Sequence, residues 1–192
     1  PLCLRASTPL VAQLRVNAGF VPITHWVHSE NEGRSRIVGE MSHFIDLLQV
    51  LTGSLVSRVY AERISGDNRT SVNNDNVVIV LKFLDGSVAN VTYSASGNKA
   101  YSREALELFF DGKTIVSQDF RVTELHDGSK VEKFKTSGQE MGYKEELKHF
   151  TDCVAGHEKL EVCPDEMFAT METIFAVERS LATANAIRVG EV

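Results

Sequence analysis

Glu40, His43 and Asp46 follow one another at three-residue steps in Gly39-Glu40-Met41-Ser42-His43-Phe44-Ile45-Asp46. On a helix that step sets side chains on neighbouring rows. A histidine beside a carboxylate is a natural proton-transfer unit, because the carboxylate fixes the imidazole tautomer and favours its protonated form. The same residues also have a structural reading, with Glu40 capping the helix start and His43 hydrogen-bonded at a packed edge. Surface Glu/His pairs are common, so the pattern alone leaves both readings open.

The elements that must position this trio are legible as periodicities. Met41, Phe44, Ile45, Leu48 and Leu51 fall on one face at about 100° per residue, which predicts a helix from Glu40 to about Thr52. Gly39 precedes it, and Gly53 is a natural stop, since a residue without Cβ accepts positive φ. Upstream, Val11 to Ala18 reads as an extended segment ended by Gly19 and Pro22, followed by a polar loop from Thr24 to Gly33. Downstream the chain reads as a β-meander with strands at Leu55–Ser65, Asn76–Leu84, Ser87–Ser96, Arg103–Phe110, Lys113–Gln118, Arg121–His126 and Lys130–Lys135. Asp85-Gly86, Asp111-Gly112 and Asp127-Gly128 sit between strand runs, as type I′ hairpin turns require. The strand from Asn76 is apolar on nearly both faces, which predicts cover on both sides.

Two helices close the chain. Tyr143, Leu147, Phe150 and Val154 make one stripe, ended by Gly156. Pro164, Asp165 and Glu166 suit the first turn of the other, which runs to about Ala186 with a stripe of Met167, Met171, Ile174, Phe175, Leu181 and Ala182. Glu178 falls inside that stripe and, if buried, needs a partner. The expected fold is α+β, a single domain over residues 1–192: an open, mostly antiparallel sheet with helices on one face, the other face left for a partner if it is apolar.

Composition removes several classes of function. With 43% hydrophobic and 24% charged residues the chain is globular in balance rather than disordered. A net charge of −6 with scattered Lys and Arg argues against nucleic-acid binding, which needs clustered cations. No apolar run reaches the ~20 residues of a membrane helix. Cys3, Cys153 and Cys163 cannot all pair, so a reducing, cytoplasmic setting is expected. The chain starts at Pro1 rather than methionine, which suggests processing or a piece of a longer protein. Cys153, His157 and Cys163 have metal-ligating types, but span a helix end and a loop and offer only three ligands, so ordinary thiols are expected and no metal site. His25 and His28 flank Trp26 in the polar loop and could line a cleft. Arg34 and Arg36 suit an anionic or polyhydroxylated ligand, or are solvated loop charges.

Asn17-Ala18-Gly19-Phe20-Val21-Pro22, then His25-Trp26-Val27-His28, then Gly33 to Gly53 resemble, in that order, the C-terminal domain of the glucose–fructose oxidoreductase/inositol dehydrogenase/MocA (Gfo/Idh/MocA) superfamily, especially its sugar or bi-domain oxidoreductase branch. The stretch Gly33 to Leu48 carries most of the likeness, which extends more weakly to the last helix. The resemblance implies a dihydrodipicolinate-reductase-like open sheet, used for substrate binding and for assembly into a homo-oligomer. It implies a parent enzyme in which a separate Rossmann domain binds NAD or NADP, and a catalytic His followed three residues later by Asp. His43 and Asp46 match that spacing. The family's acid four residues before the His falls on Gly39; Glu40 stands one position later, rotated by about 100°.

No Gly-x-Gly-x-x-Gly and no Glu-Lys-Pro occurs in the chain, so no dinucleotide is expected to bind to it alone. The expectation is a substrate-binding and assembly domain of an NAD(P)-dependent oxidoreductase acting on a sugar, nucleotide sugar or polyol. His43, Asp46 and Glu40 would be catalytic, and Arg34, Arg36, His25 and Trp26 would bind substrate. The alternative is a non-catalytic sugar-sensing or oligomerisation module on the same fold.

Overall fold

The computed structural model describes residues 6–67, 72–139, 142–160 and 164–190. In chain order the elements are β1 (Val11–Asn17), a π turn (Ile37–Met41), α1 (Ser42–Thr52), β2 (Val56–Arg63), β3 (Asn76–Phe83), β4 (Val88–Ser94), β5 (Glu104–Phe110), β6 (Lys113–Gln118), β7 (Val122–Asp127), β8 (Lys130–Lys135), α2 (Tyr143–Val154), α3 (Pro164–Thr183) and β9 (Ile187–Arg188). The strands make one sheet in the order β8-β7-β6-β5-β1-β4-β3-β2-β9. Only β1 and β4 run parallel; every other pair is antiparallel.

Alternation decides which face is covered. Ala12, Leu14 and Val16 of β1, Val77, Ile79, Leu81 and Phe83 of β3, and Ala89, Val91 and Tyr93 of β4 are buried against Met41, Ile45 and Leu48 of the first helical segment and Ile174 and Val177 of α3. The opposite face is open. Val78 and Val80 are exposed there beside Tyr60, Val11 and Phe109. The two-sided cover expected for β3 is therefore absent, because no described element folds over its second face.

The register sets the end of the sheet where the loops gather. Asn17 aligns with Ser94, Ser94 with Asn76, Val16 with Glu104, and Arg63 with Val77. The ends of β1, β2 and β4 and the starts of β3 and β5 thus share one edge, and the chain leaves β1 from that edge to enter α1.

Several local expectations change. The first helix opens as the π turn rather than at Glu40, and α proper begins at Ser42. Gly53 ends it at φ +65°. Of the three Asp-Gly pairs only Asp111-Gly112 has both residues at positive φ, +47° and +72°. Asp119 and Phe120 take that conformation at +52° and +51° between β6 and β7 without a glycine. The last helix stops at Thr183, where Ala184 turns left-handed at φ +54°, and the two-residue β9 follows.

The buried side of α3 also differs from its most apolar stripe. Thr170, Thr173, Ile174, Ala176, Val177 and Ser180 face inward, while Met167, Phe168 and Phe175 are exposed and Glu178 is only half-buried. The physical reason is proximity to β2: small side chains let the helix lie close, and hydroxyls satisfy edge groups. Ser180 Oγ accepts the N–H of Ala61 at 2.9 Å and donates to the Asn185 carbonyl at 2.6 Å, while Gln49 Nε2 donates to Thr170 Oγ1 at 2.8 Å. On α2 the predicted stripe forms, but Tyr143, Leu147, Phe150 and Val154 all face outward, and the helix packs on no described element to more than a marginal extent.

Candidate active site

On α1, Ile45 and Leu48 are turned into the core, and His43, Asp46 and Val50 are exposed. At 100° per residue the latter three lie within about 60° of one another, on the side opposite the core row. His43 and Asp46 therefore share one outward stripe that nothing among the described residues covers.

Glu40 goes elsewhere. Its Oε1 accepts from Arg36 Nε at 2.8 Å, and its Oε2 from Arg36 Nη2 at 3.2 Å and from the Tyr93 hydroxyl at 2.7 Å. A guanidinium fork on a carboxylate is a strong, directional pair. The π turn, a form often found at functional sites, lies between this inward network and the outward His43. A Cβ on Gly39 would meet nothing within 4 Å, so the position at which the resemblance places an acid opens to free space.

Arg36 is buried, and its remaining donors hold the end of β1 and the loop after it: Nη1 donates to the Gly19 carbonyl at 2.8 Å and Nη2 to Ala18 at 3.4 Å. Nη1 also meets Asp75 Oδ2 at 3.5 Å, and the guanidinium stands 5.3 Å from the Tyr93 ring centre. Asp75 is fully buried, and His28 Nε2 lies 3.6 Å from the same carboxylate oxygen. Sequence reading missed Asp75 and Tyr93; Asp75 reaches Arg36 from the 3-10 turn Asn73–Asp75 before β3 and Tyr93 reaches Glu40 from β4, and no local pattern announces either.

Charge in this network is balanced by position. Burial works to raise the Glu40 carboxyl, but the Arg36 fork and the Tyr93 hydroxyl outweigh it and hold it below its ordinary value. Burial, then the bond to Glu40, pushes the Tyr93 phenol far up, so it stays a protonated donor. Burial also raises the Asp75 carboxyl, which His28 and Arg36 only partly offset.

The remaining sequence-predicted residues are scattered along the loop. Trp26 opens a 3-10 turn, Trp26–His28, and is exposed; the His25 ring lies 5.6 Å from it and accepts the Val27 N–H. Gly33 closes the loop against this turn, where a Cβ would come within 2.5 Å of the Val27 backbone. Arg34 follows in the left-handed region at φ +60° with an exposed side chain. The structure thus joins Arg36 to Glu40 and sets His43 and Asp46 on one outward face of α1, while Glu40 turns to a different network from His43. Of the three thiol-cluster residues, Cys163 lies outside the described residues, and Cys153 is half-buried with Sγ 3.5 Å from His149 Nε2. Among the described residues no three His, Cys, Asp or Glu side chains are placed to hold a metal ion, and no helix is long and apolar enough to cross a membrane.

A family model described as the GFO/IDH/MocA C-terminal domain matches residues 8–116. No curated protein sequence matches the chain. Among solved structures, an oxidoreductase domain protein from Kribbella flavida superposes with TM-score 0.77 at 14% identity, over 97% of this chain and 60% of that one. A levoglucosan dehydrogenase in complex with NADH and levoglucosan gives TM-score 0.76 at 14% identity, over 96% and 59%. A UDP-N-acetylglucosamine 3-dehydrogenase from Acidithiobacillus ferrooxidans gives 0.73 at 16%, over 91% and 54%. At these identities the likeness establishes the fold, and the chain spans little more than half the length of each of these proteins.

Proposed function

Because the chain belongs to the GFO/IDH/MocA C-terminal domain family, we propose that it is the substrate-binding and assembly domain of an NAD(P)-dependent oxidoreductase acting on a sugar, nucleotide sugar or polyol. The observation that carries this reading is the outward stripe of His43 and Asp46 on α1, left uncovered beside an internally balanced network. A bare His/Asp pair facing solvent is half of an active site, and the reading supplies the other half as a dinucleotide-binding domain packed over α1. The outward apolar stripe of α2 accords with such further packing, and the exposed Val78, Val80 and Tyr60 accord with a homo-oligomer formed through the open sheet face.

The nicotinamide, held by that other domain, would take up hydride from the carbon bearing the hydroxyl. His43 receives the hydroxyl proton or orients the alcohol, and Asp46 stands near it on the same outward stripe. Glu40 acts at one remove: it fixes the first turn of the helix through Arg36 and Tyr93. Arg36, with its donors occupied internally, positions the loop, while Arg34, His25 and Trp26 are left to meet the substrate. The setting we assign is the cytoplasm, where an odd count of three cysteines is ordinary.

His43→Ala in the full-length parent is the decisive variant. Turnover should fall about 10²–10⁴-fold, the usual worth of a positioned acid–base group. Undiminished turnover would instead favour a non-catalytic sugar-sensing or oligomerisation module. The same reading expects no NADH binding when the isolated chain is titrated in a calorimeter.

A further inference from the structure

A second concavity lies at the loop edge of the sheet, between the loop after β1 and the approach to β3. It encloses about 200 Å³ and is lined by His28, Arg34, Ser35, Arg63, Asn73 and Asn74, with Ile23 and Val72 at its sides. Its size is below the several hundred Å³ typical of pockets for drug-sized ligands, so it suits one polar group or one small ring rather than a whole nucleotide.

Among the described residues no carboxylate lines it. Arg34 and Arg63 bring two cations, and the Arg34 guanidinium has no partner among the described residues. Arg63 donates to the Asn74 side-chain oxygen. That bond orients the guanidinium and leaves part of its fork open. Beneath them His28 is almost wholly buried, and its Nε2 has no hydrogen-bond partner among the described residues; Asp75 Oδ2, at 3.6 Å, is beyond that distance. Asp75 Oδ2 is approached by Arg36 Nη1 at 3.5 Å as well as by His28, and Asp75 itself does not line the pocket. Arg34 is held in the left-handed region, with its N–H on the Ser29 carbonyl at 2.7 Å. An arginine is strained in such a backbone, and strain of this kind concentrates at ligand sites.

We propose that this pocket is a subsite for an anionic group, a carboxylate or a phosphate, carried by the substrate, with Arg34 and Arg63 as its paired cations. The two guanidinium groups supply fork donors of the geometry that carboxylate and phosphate oxygens accept. The Asn74 amide and the Ser35 hydroxyl add neutral donors, and His28 forms the floor. The inference deepens the substrate-binding reading above and rests on it. It narrows the substrate to acidic or phosphorylated sugars and polyols.

Calorimetric or NMR titration of the chain with glucuronate, inorganic phosphate and neutral glucose tests it, and the first two arms separate carboxylate from phosphate. Binding of either anion in preference to glucose is expected, weakened roughly tenfold or more in Arg63→Ala and in Arg34→Gly. Arg34→Gly removes the cation while relieving the left-handed backbone, so a loss of binding there is not a loss of fold. Failure of both anions to bind, equal binding of glucose, or unchanged affinity in both variants would overturn the subsite. None of these results touches the hydride-transfer reading, which His43→Ala in the parent decides.

Discussion

The Tyr93 hydroxyl donates to Glu40 Oε2 at 2.7 Å, tying the middle of the sheet to the turn that starts α1. Tyr93 is buried at the end of β4, and Glu40 is also clasped by Arg36. The orientation of the helix that presents His43 and Asp46 therefore depends on a bond between residues 53 positions apart.

Tyr93→Phe keeps the ring under the Arg36 guanidinium and removes only the hydroxyl. A hydrogen bond to a charged acceptor contributes about 1.5–3 kcal/mol. Glu40 is partly exposed and keeps Arg36, so a loss of about 1–2 kcal/mol in urea unfolding is expected. In the full-length parent the same variant should lower turnover more than it weakens substrate binding, since it disturbs the seat of His43.

Acid should act through Glu40 in a defined direction. Its carboxyl is held below the ordinary value of 4.5, so its contribution is complete above that pH and is lost as pH falls through the lower folded value. Asp75 and Glu104, raised by burial, run the other way and gain relative stability on acidification. Comparing wild type with Glu40→Gln isolates the first effect: the gap between their unfolding free energies should shrink as pH drops below 4.5. A gap that widens would contradict the assigned sign.

Ser180→Ala should be among the most costly conservative changes on α3. It leaves the buried Ala61 N–H without its side-chain partner, while the carbonyl of exposed Asn185 can turn to water. An unsatisfied buried group costs about 1–3 kcal/mol, so a loss of that size is expected in chemical denaturation.

Arg34→Gly should leave stability unchanged or raise it by up to about 1 kcal/mol, because glycine accepts φ +60° freely and arginine does not. A fall in melting temperature would mean that the Arg34 side chain contributes to folding.

Phe150→Ser on α2 should change the stability of this chain by no more than about 0.5 kcal/mol, as for other exposed positions. In an assembly that covers α2 the same change should weaken association, measured by sedimentation at falling concentration.

The sequence by itself determined the local elements. Alternation, strand-suited runs and the Asp-Gly pairs between them placed the eight longer strands, period 3.6 placed three helices, and Gly53 marked a stop, because each signal is written within a few neighbouring residues. His43 and Asp46 were legible for the same reason: both lie on one helix at a fixed step, and the sequence also showed that Glu40 is rotated away from the acid position. Only the tertiary structure decided where Glu40 points, since Tyr93 reaches it from β4 and Asp75 reaches its partner Arg36 from the turn before β3. It likewise decided that the inward side of α3 is its small, hydroxyl-bearing side. Apolarity predicts which residues gain by leaving water, but closeness to β2 and an unpaired N–H at Ala61 decide which side chains fit. The second face of β3 teaches the same lesson: Val78 and Val80 have the composition of a covered surface, and whether cover exists depends on what else folds against it.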